Sequence, residues 1–362
     1  MHNPMFDGKG RVWFTLRIRE AQKQPAWCSG DTANKYGKYF PIKQSGKQVV
    51  MYDPKTQKFE NVDTCFTVDH NQIGKDNTIY YGTTGSVGWV DINAWEKTHD
   101  PEKSTGWCPA VIDTNGDGKI SPGWTEPDQP VDPTKDKRVS TGFYAIMPSP
   151  VDGSIWGSYR GNPGTVVRVV LRKNPSETAI TEIYNVPAPG FGVRGGDIDS
   201  KGVVWVSLAS GHLGSFDRSK CKGPLNGPKA TGDHCPEGWT FYKYPGPGFE
   251  GIGDNSAEAS YYSWVDQHNT LGLGSDVPVS TGNENDGLIA LKDGKMIVLR
   301  VPYPLGFYAK GLDGRIDDAN AGWKGRGLWS AAGDRTPWLK EGGKGSTPFA
   351  AHFQMRPDPL AK

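Results

Sequence analysis

The segment Asp113–Ser121, DTNGDGKIS, carries hard oxygen donors at regular spacing. Asp113, Asn115 and Asp117 occupy the first, third and fifth positions of the calcium-loop pattern D-x-[DN]-x-[DN]-G. Gly118 supplies the sharp turn at the sixth position, and the carbonyl of Lys119 comes at the seventh. Alternating oxygens around a turn suit a hard cation. The expected ligands of a calcium ion stapling a surface insertion are therefore Asp113, Asn115, Asp117, Lys119 and Ser121. The twelfth position, which calls for a bidentate Glu, is Trp124; Glu126 and Asp128 come two and four residues late. No amphipathic helix flanks the loop, which argues against an EF-hand pair. A bare Asn-Gly/Asp-Gly turn is the competing reading, because the same residues are ordinary turn chemistry.

Thiol chemistry is the second possibility. None of the five cysteines falls in a CxxC pair, so a structural zinc knuckle has no support. Cys221 and Cys235 bracket a Gly-, Pro- and Lys-rich segment whose ends a disulfide would usefully tie. Cys28 and Cys65 are the next candidate pair, leaving Cys108 over. Either bond implies an oxidising compartment, periplasmic or extracellular; five buried thiols in a reduced protein is the alternative. GFGVRG, from Gly190, runs into a β-rich stretch and has no helix N-terminus for a pyrophosphate. GGKGST lacks P-loop order, and neither HExxH nor GxSxG occurs.

The elements that position these groups come from a degenerate repeat. Its copies begin at His2 (HNPMFDGKGRVWFT), His70 (HNQIGKDNTIYYG), Tyr144 (YAIMPSPVDGSIWGS) and Arg194 (RGGDIDSKGVVWVS), with weaker copies near Tyr262 and Tyr308. Each reads as a short strand, a Gly/Asp turn and a second strand carrying an aromatic, the unit of a hairpin. Further strand candidates between copies, such as GTVVRVVLRK and LIALKDGKMIVLRVP, extend each hairpin to a four-stranded meander. The fold class expected is all-β, a single β-propeller domain over residues 1–362 with six to eight four-stranded blades and long inter-blade insertions. The candidate insertions are 20–45, 96–138, 218–238 and 310–326; a two-domain β-sandwich is the competing architecture. The first copy starts at residue 2, so either the chain is trimmed from a longer one or Phe349–Met355 closes the ring.

Composition agrees. Gly 48 and Pro 28 in 362 residues disfavour long helices. Lys+Arg 41 against Asp+Glu 40 leaves no broad basic face for nucleic acid or anionic lipid. No apolar run reaches the length of a membrane span, and the N-terminus has no signal-peptide h-region. Trp13, Trp89, Trp156, Trp205, Trp264 and Trp329 recur at strand positions and are expected to pack between blades. Trp107, Trp124, Trp323 and Trp338 fall in loops that could stack a sugar or aromatic ligand.

HNPMFDGKGRVWFT and HNQIGKDNTIYYG resemble the blade signature of the streptogramin B lyase-like propellers, related to gluconolactonase-like and NHL-type propellers. The resemblance covers four repeats well and two poorly. It implies that the residue opening each repeat faces a central channel, and that the activity is a metal-assisted elimination opening a cyclic ester with histidine as base. Carried over, those positions are His2, His70, Tyr144, Arg194, Tyr262 and Tyr308, able together to abstract a proton and stabilise an enolate or carboxylate. The later blades depart from the pattern; His268 and Glu284 are the nearest histidine and acid, and a divalent metal in the channel is the implied cofactor. For each histidine a structural hydrogen-bonding role competes. His212 is expected in a blade hairpin, and His99 and His234 in solvated insertions.

Two classes of function follow. One is a lyase- or lactonase-type enzyme acting on a small or cyclic ester, or a glycan. The other is a non-catalytic binding or scaffold propeller holding a protein partner through its insertions.

Overall fold

The structure, a computed structural model, describes residues 2–83, 85–140, 143–302, 306–313, 327–332 and 349–355; the side chain of His2 is outside that set. Its elements are short antiparallel strands in consecutive meanders, and the fold class is the all-β propeller, with six blade sheets. Contacts divide the chain into two compact units.

The first unit comprises Met1–Arg160, Thr165–Asn185 and Cys221–Cys235. Its first blade is β1 (His2–Phe6), β2 (Val12–Arg17), β3 (Lys47–Asp53) and β4 (Lys58–Val62). The second is β5 (Asn71–Ile73), β6 (Thr78–Thr83), β7 (Ser86–Asp91) and β8 (Thr105–Pro109). A two-stranded ribbon, β9 (Val111–Ile112) with β10 (Lys137–Arg138), precedes the third blade. That blade is β11 (Ile146–Pro148), β12 (Ile155–Tyr159), β13 (Thr165–Val170) and β14 (Ile180–Asn185). Apolar faces pack into two cores, one around Trp13, Val49, Phe66, Tyr81 and Trp107, the other around Val87, Val111, Phe143, Ile155 and Val167. The helices are short: α1 (Lys35–Tyr39), α2 (Ile92–Thr98), α3 (Pro101–Ser104) and α4 (Pro175–Thr178). Among the described residues no helix is long and apolar enough to cross a membrane.

The second unit comprises Gly161–Gly164, Val186–Lys220 and Pro236–Lys362. It holds the fourth blade, β15 (Val193–Ile198), β16 (Val204–Leu208), β17 (His212–Phe216) and β18 (Trp239–Lys243). The fifth is β19 (Ser263–Asp266), β20 (Val277–Gly282), β21 (Gly287–Lys292) and β22 (Lys295–Arg300). The sixth shows three strands among the described residues, β23 (Ala309–Asp313), β24 (Leu328–Ala332) and β25 (Phe349–Phe353). Leu213, Tyr244 and Ile289 form one core here, and Trp264, Val279, Leu288, Phe307 and Leu328 another.

The repeat has a local cause. In the first blade the Asp7 carboxylate accepts the backbone N–H groups of Lys9 (2.9 Å) and Arg11 (3.0 Å) and the indole N–H of Trp13 (2.8 Å). Asp199 does the same with Lys201, Val203 and Trp205. Asp76 takes the N–H of Thr78 and the hydroxyl of Tyr80, and Asp152 reaches Trp156 through the Ser154 hydroxyl. One carboxylate thus closes the turn and fixes the aromatic on the next strand, an Asx turn with a long arm.

Three expectations shift. Of the insertions, 20–45 lies between β2 and β3 and 218–238 between β17 and β18, so both grow from within a blade; residues 314–326 are outside the described residues. β25, which holds Phe349, pairs with β24 in its own sheet, while the first blade takes all four strands from residues 2–62. Trp107 is not a loop residue: it lies in β8, fully buried, its indole N–H on the Phe40 carbonyl at 2.8 Å. Trp124 lies against the rings of Tyr39 and Phe40; Trp323 and Trp338 are outside the described residues.

Both disulfides form, Cys28–Cys65 and Cys221–Cys235, and Cys108 is the buried free thiol. Burial pushes the Cys108 thiol up to about 12, which disfavours the reactive thiolate.

Candidate functional site

In every blade the residue that opens the repeat sits at or next to the start of the first strand, and because the second strand runs antiparallel to it, the end of the second strand lies at that same end. A bulge follows the first paired residue in β1, β15 and β23, between His2 and Met5, Val193 and Gly196, and Ala309 and Leu312. Bulges re-aim side chains at a strand end, here where the candidate residues stand.

In the first unit, His70 stands just before β5 and Tyr144 just before β11. The Tyr144 N–H donates to the Ser158 carbonyl (2.7 Å) and the Ala145 N–H to the Ser158 hydroxyl (2.9 Å), fixing the entry into β11. Asn3 and Asn71 exchange side-chain to carbonyl bonds of 2.8 Å each, pinning the entry into β5. The buried His70 ring lies 4.6 Å from the Tyr144 ring, and the exposed Arg160, at the end of β12, places its guanidinium 4.5 Å over the same ring. An imidazole, a phenol and a guanidinium are thus gathered in one place.

In the second unit, Arg194 places its guanidinium 5.5 Å over the ring of Tyr261, and Lys310 its ammonium 5.6 Å over that ring. The Gly195 N–H donates to the Tyr261 carbonyl (3.1 Å), and a Cβ on Gly195 would run into the Tyr262 ring, so glycine alone fits there. Below lies a buried chain of hydroxyls. Ser207 bonds Ser260 and Ser263, Ser263 bonds Ser280, and Tyr244 donates to Ser280, each at 2.8 Å. Tyr262 and Tyr308 hold the expected strand-opening positions and are half-buried.

The other two expected residues, His268 and Glu284, are both exposed. His268 is exposed in the turn after β19, at the far end of that strand from Tyr262; β19 contacts β15, whose opening end carries Arg194. Four residues of strand separate the ends by roughly 13 Å. Glu284 is at the strand-opening end, but its side chain is exposed, and it is its backbone N–H that bonds the carboxylate of Glu258 (3.2 Å). Glu258, which sequence reasoning missed, is buried and also takes the Asn285 amide (2.7 Å); burial raises its pKa. His212 opens β17, buried, with Nε2 3.3 Å from Asp254 and Nδ1 3.1 Å from the Ser210 hydroxyl. His99 is exposed, and His234 packs against Tyr184 while Nδ1 accepts the Gly232 N–H. Arg160, Tyr261 and Lys310 were also missed; the signal available was their position at the edges of strands or repeats.

The Asp113–Ser121 loop is held by its own carboxylates. Asp113 accepts the N–H groups of Gly116 (2.7 Å), Asp117 (3.1 Å) and Gly118 (2.8 Å), Asn115 that of Asp117 (3.0 Å), and Asp117 that of Lys119 (2.8 Å). The carboxylate of Asp136 accepts the Ser121 N–H at 3.0 Å. Burial raises the Asp136 pKa, and the charges of Asp113 and Asp117 add to it. Among the described residues no three His, Cys, Asp or Glu side chains already converge as a metal cage.

A cavity of about 310 Å³ opens in the first unit between residues 112–140, the disulfide-bound segment and the third blade, lined by Ile112, Val131, Val139, Tyr159 and Ile183 among others. Its cations are already engaged. Lys137 donates to the carbonyls of Glu126, Pro127 and Gln129, and Arg138 pairs with Glu126.

No family model and no curated protein matches the chain. Among solved structures it is similar to a streptogramin B lyase, at TM-score 0.51 and 10% identity over 99% of this chain and 83% of that one. Also similar are a catalytically inactive virginiamycin B lyase from Staphylococcus aureus with quinupristin (TM-score 0.42, 12% identity, 91% of each chain) and a putative gluconolactonase (TM-score 0.43, 11% identity, 91% of this chain and 84% of that one). At such identity the likeness is one of fold.

Proposed function

We propose that this chain is a propeller of the lyase or lactonase type that opens a small or cyclic ester at the strand-opening end of the first unit. The observation that carries the reading is the trio of His70, Tyr144 and Arg160, an imidazole and a guanidinium against one phenol. In an elimination the base takes a C–H proton, that electron pair becomes the C=C bond, and the C–O bond breaks to leave a carboxylate. His70 is suited to take the proton, and Arg160 with the Tyr144 hydroxyl to meet the developing negative charge.

Turnover of a panel of cyclic esters and aldonolactones tests this. His70→Ala should lower kcat by about 100-fold or more, and Arg160→Ala should lower kcat/KM while circular dichroism stays unchanged. Full activity in both variants would remove the trio from the chemistry.

One observation favours a second reading. In the second unit the matching position sets two cations, Arg194 and Lys310, over the Tyr261 ring, an arrangement suited to holding an anion or glycan acid. Ligand-induced thermal shifts with no turnover on any ester would favour that binding-module reading. The two disulfides suit a periplasmic or extracellular location, and a small-molecule or glycan ligand fits either reading.

A further inference from the structure

We propose that Asp136 completes a calcium site with the Asp113–Lys119 loop, standing in for the glutamate that the linear motif lacks at its twelfth position. Glu126, the first acid after Trp124, is taken: its carboxylate binds Arg138 and accepts the Trp124 indole N–H at 3.1 Å. Asp128 is exposed. Asp136 instead comes back to the loop because β10, which begins at the next residue, pairs with β9, which ends just before Asp113.

The Asp136 side chain is 1% exposed, with Oδ2 on the Ser121 N–H and Oδ1 left without a hydrogen-bond partner. No basic side chain among the described residues pairs with Asp113, Asp117 or Asp136. The Asn115 N–H also acts on the Asp136 carboxylate, which aims it at the loop, but a buried carboxylate oxygen with no close partner and no counter-charge is costly. The charges of Asp113 and Asp117 act on Asp136, and a hard divalent ion among the three carboxylates would offset their mutual repulsion. The set offers Asp113, Asn115 and Asp117 side-chain oxygens, the Lys119 carbonyl and Asp136, all oxygen, which selects calcium over softer metals. The loop is anchored on both sides, by the Ile120 N–H on the Glu177 carbonyl (2.7 Å) and by the Tyr39 hydroxyl on the Ile120 carbonyl. An ion here would therefore brace the segment that continues through Lys137 and Val139 into the cavity wall.

The test is calcium titration of the chelator-stripped full chain, followed by calorimetry and thermal unfolding. A rise in Tm with a Kd of about 1 mM or tighter is expected. Asp136→Asn should weaken calcium at least tenfold while leaving or raising the Tm without calcium, and Asp128→Asn should change neither. The proposal is overturned by no response at about 10 mM calcium, far above the weakest such sites, or by wild-type affinity in Asp136→Asn. Should that variant fail to fold, Asp136→Glu moves the charge by one methylene. An altered calcium affinity in it supports the site, and an unaltered one overturns it.

Discussion

Asp7 and Glu258 are both buried carboxylates, yet they answer pH in opposite directions. Burial alone would raise Asp7, but the Trp13 indole and the Arg11 guanidinium outweigh it and hold the group below its ordinary 3.8. A depressed carboxylate contributes stability above the unfolded value and loses it as pH falls through the folded value. Asp152 follows the same rule, because bonds from Ser154 and Arg168 overcome its burial. Glu258, raised by burial, gives its stability at low pH and loses it as pH rises through its folded value. Asp7→Asn should therefore cost about 1.5–3 kcal/mol at pH 7, the range for a hydrogen bond to a charged group, and flatten the acid limb of the stability curve. Urea unfolding at pH 7 and near pH 3 checks this; an unchanged acid limb would assign the acid sensitivity to other groups. The turn aspartates and their aromatics were legible in the sequence because they bond across four to six residues. Arg160 and Tyr144 were not recognisable as partners, because 16 residues and a hairpin separate them.

Among the elements, bulges mark the strand openings of the first, fourth and sixth blades, and insertions grow from within two blades. Three strands carry the same irregularity at their first residues, a feature invisible in a degenerate repeat whose spacing tolerates one extra residue. The insertion between β17 and β18 is closed by Cys221–Cys235 and packs on β14, with the Gly232 carbonyl taking the Asn185 N–H (2.8 Å) and Asp233 taking the Asn185 amide (2.9 Å). Its bond closes a loop of sequence separation 14, for which loop entropy gives about 3 kcal/mol. Replacing both cysteines by serine should lower stability by an amount of that order and expose residues 221–235 to protease, read by denaturant melts and limited proteolysis. Equal cleavage rates in the two proteins would mean that the packing on β14 alone holds the segment.

For the whole chain, five cysteines, two disulfides and one buried thiol make a simple expectation. A thiol reagent should find none in the native protein and one per chain after denaturation without reductant. Five thiols in protein recovered under oxidising conditions would remove the basis for an extracellular or periplasmic location. The blade meander and its turn chemistry could be read from the residues, because period-two alternation and Asp-Gly turns are short-range and each unit of the pattern carries its own cause; the cysteines offered candidate pairs, and the structure chose among them. Convergence could not be read. Asp136 reaches the Asp113 loop by a ribbon pairing over some 25 residues, His268 falls at the far end of its strand because a four-residue strand intervenes, and His70 meets Tyr144 because β5 packs on β11. Such contacts are chosen by packing between elements, where side chains distant in sequence compete for the same space, and a local pattern holds no information about which of them wins.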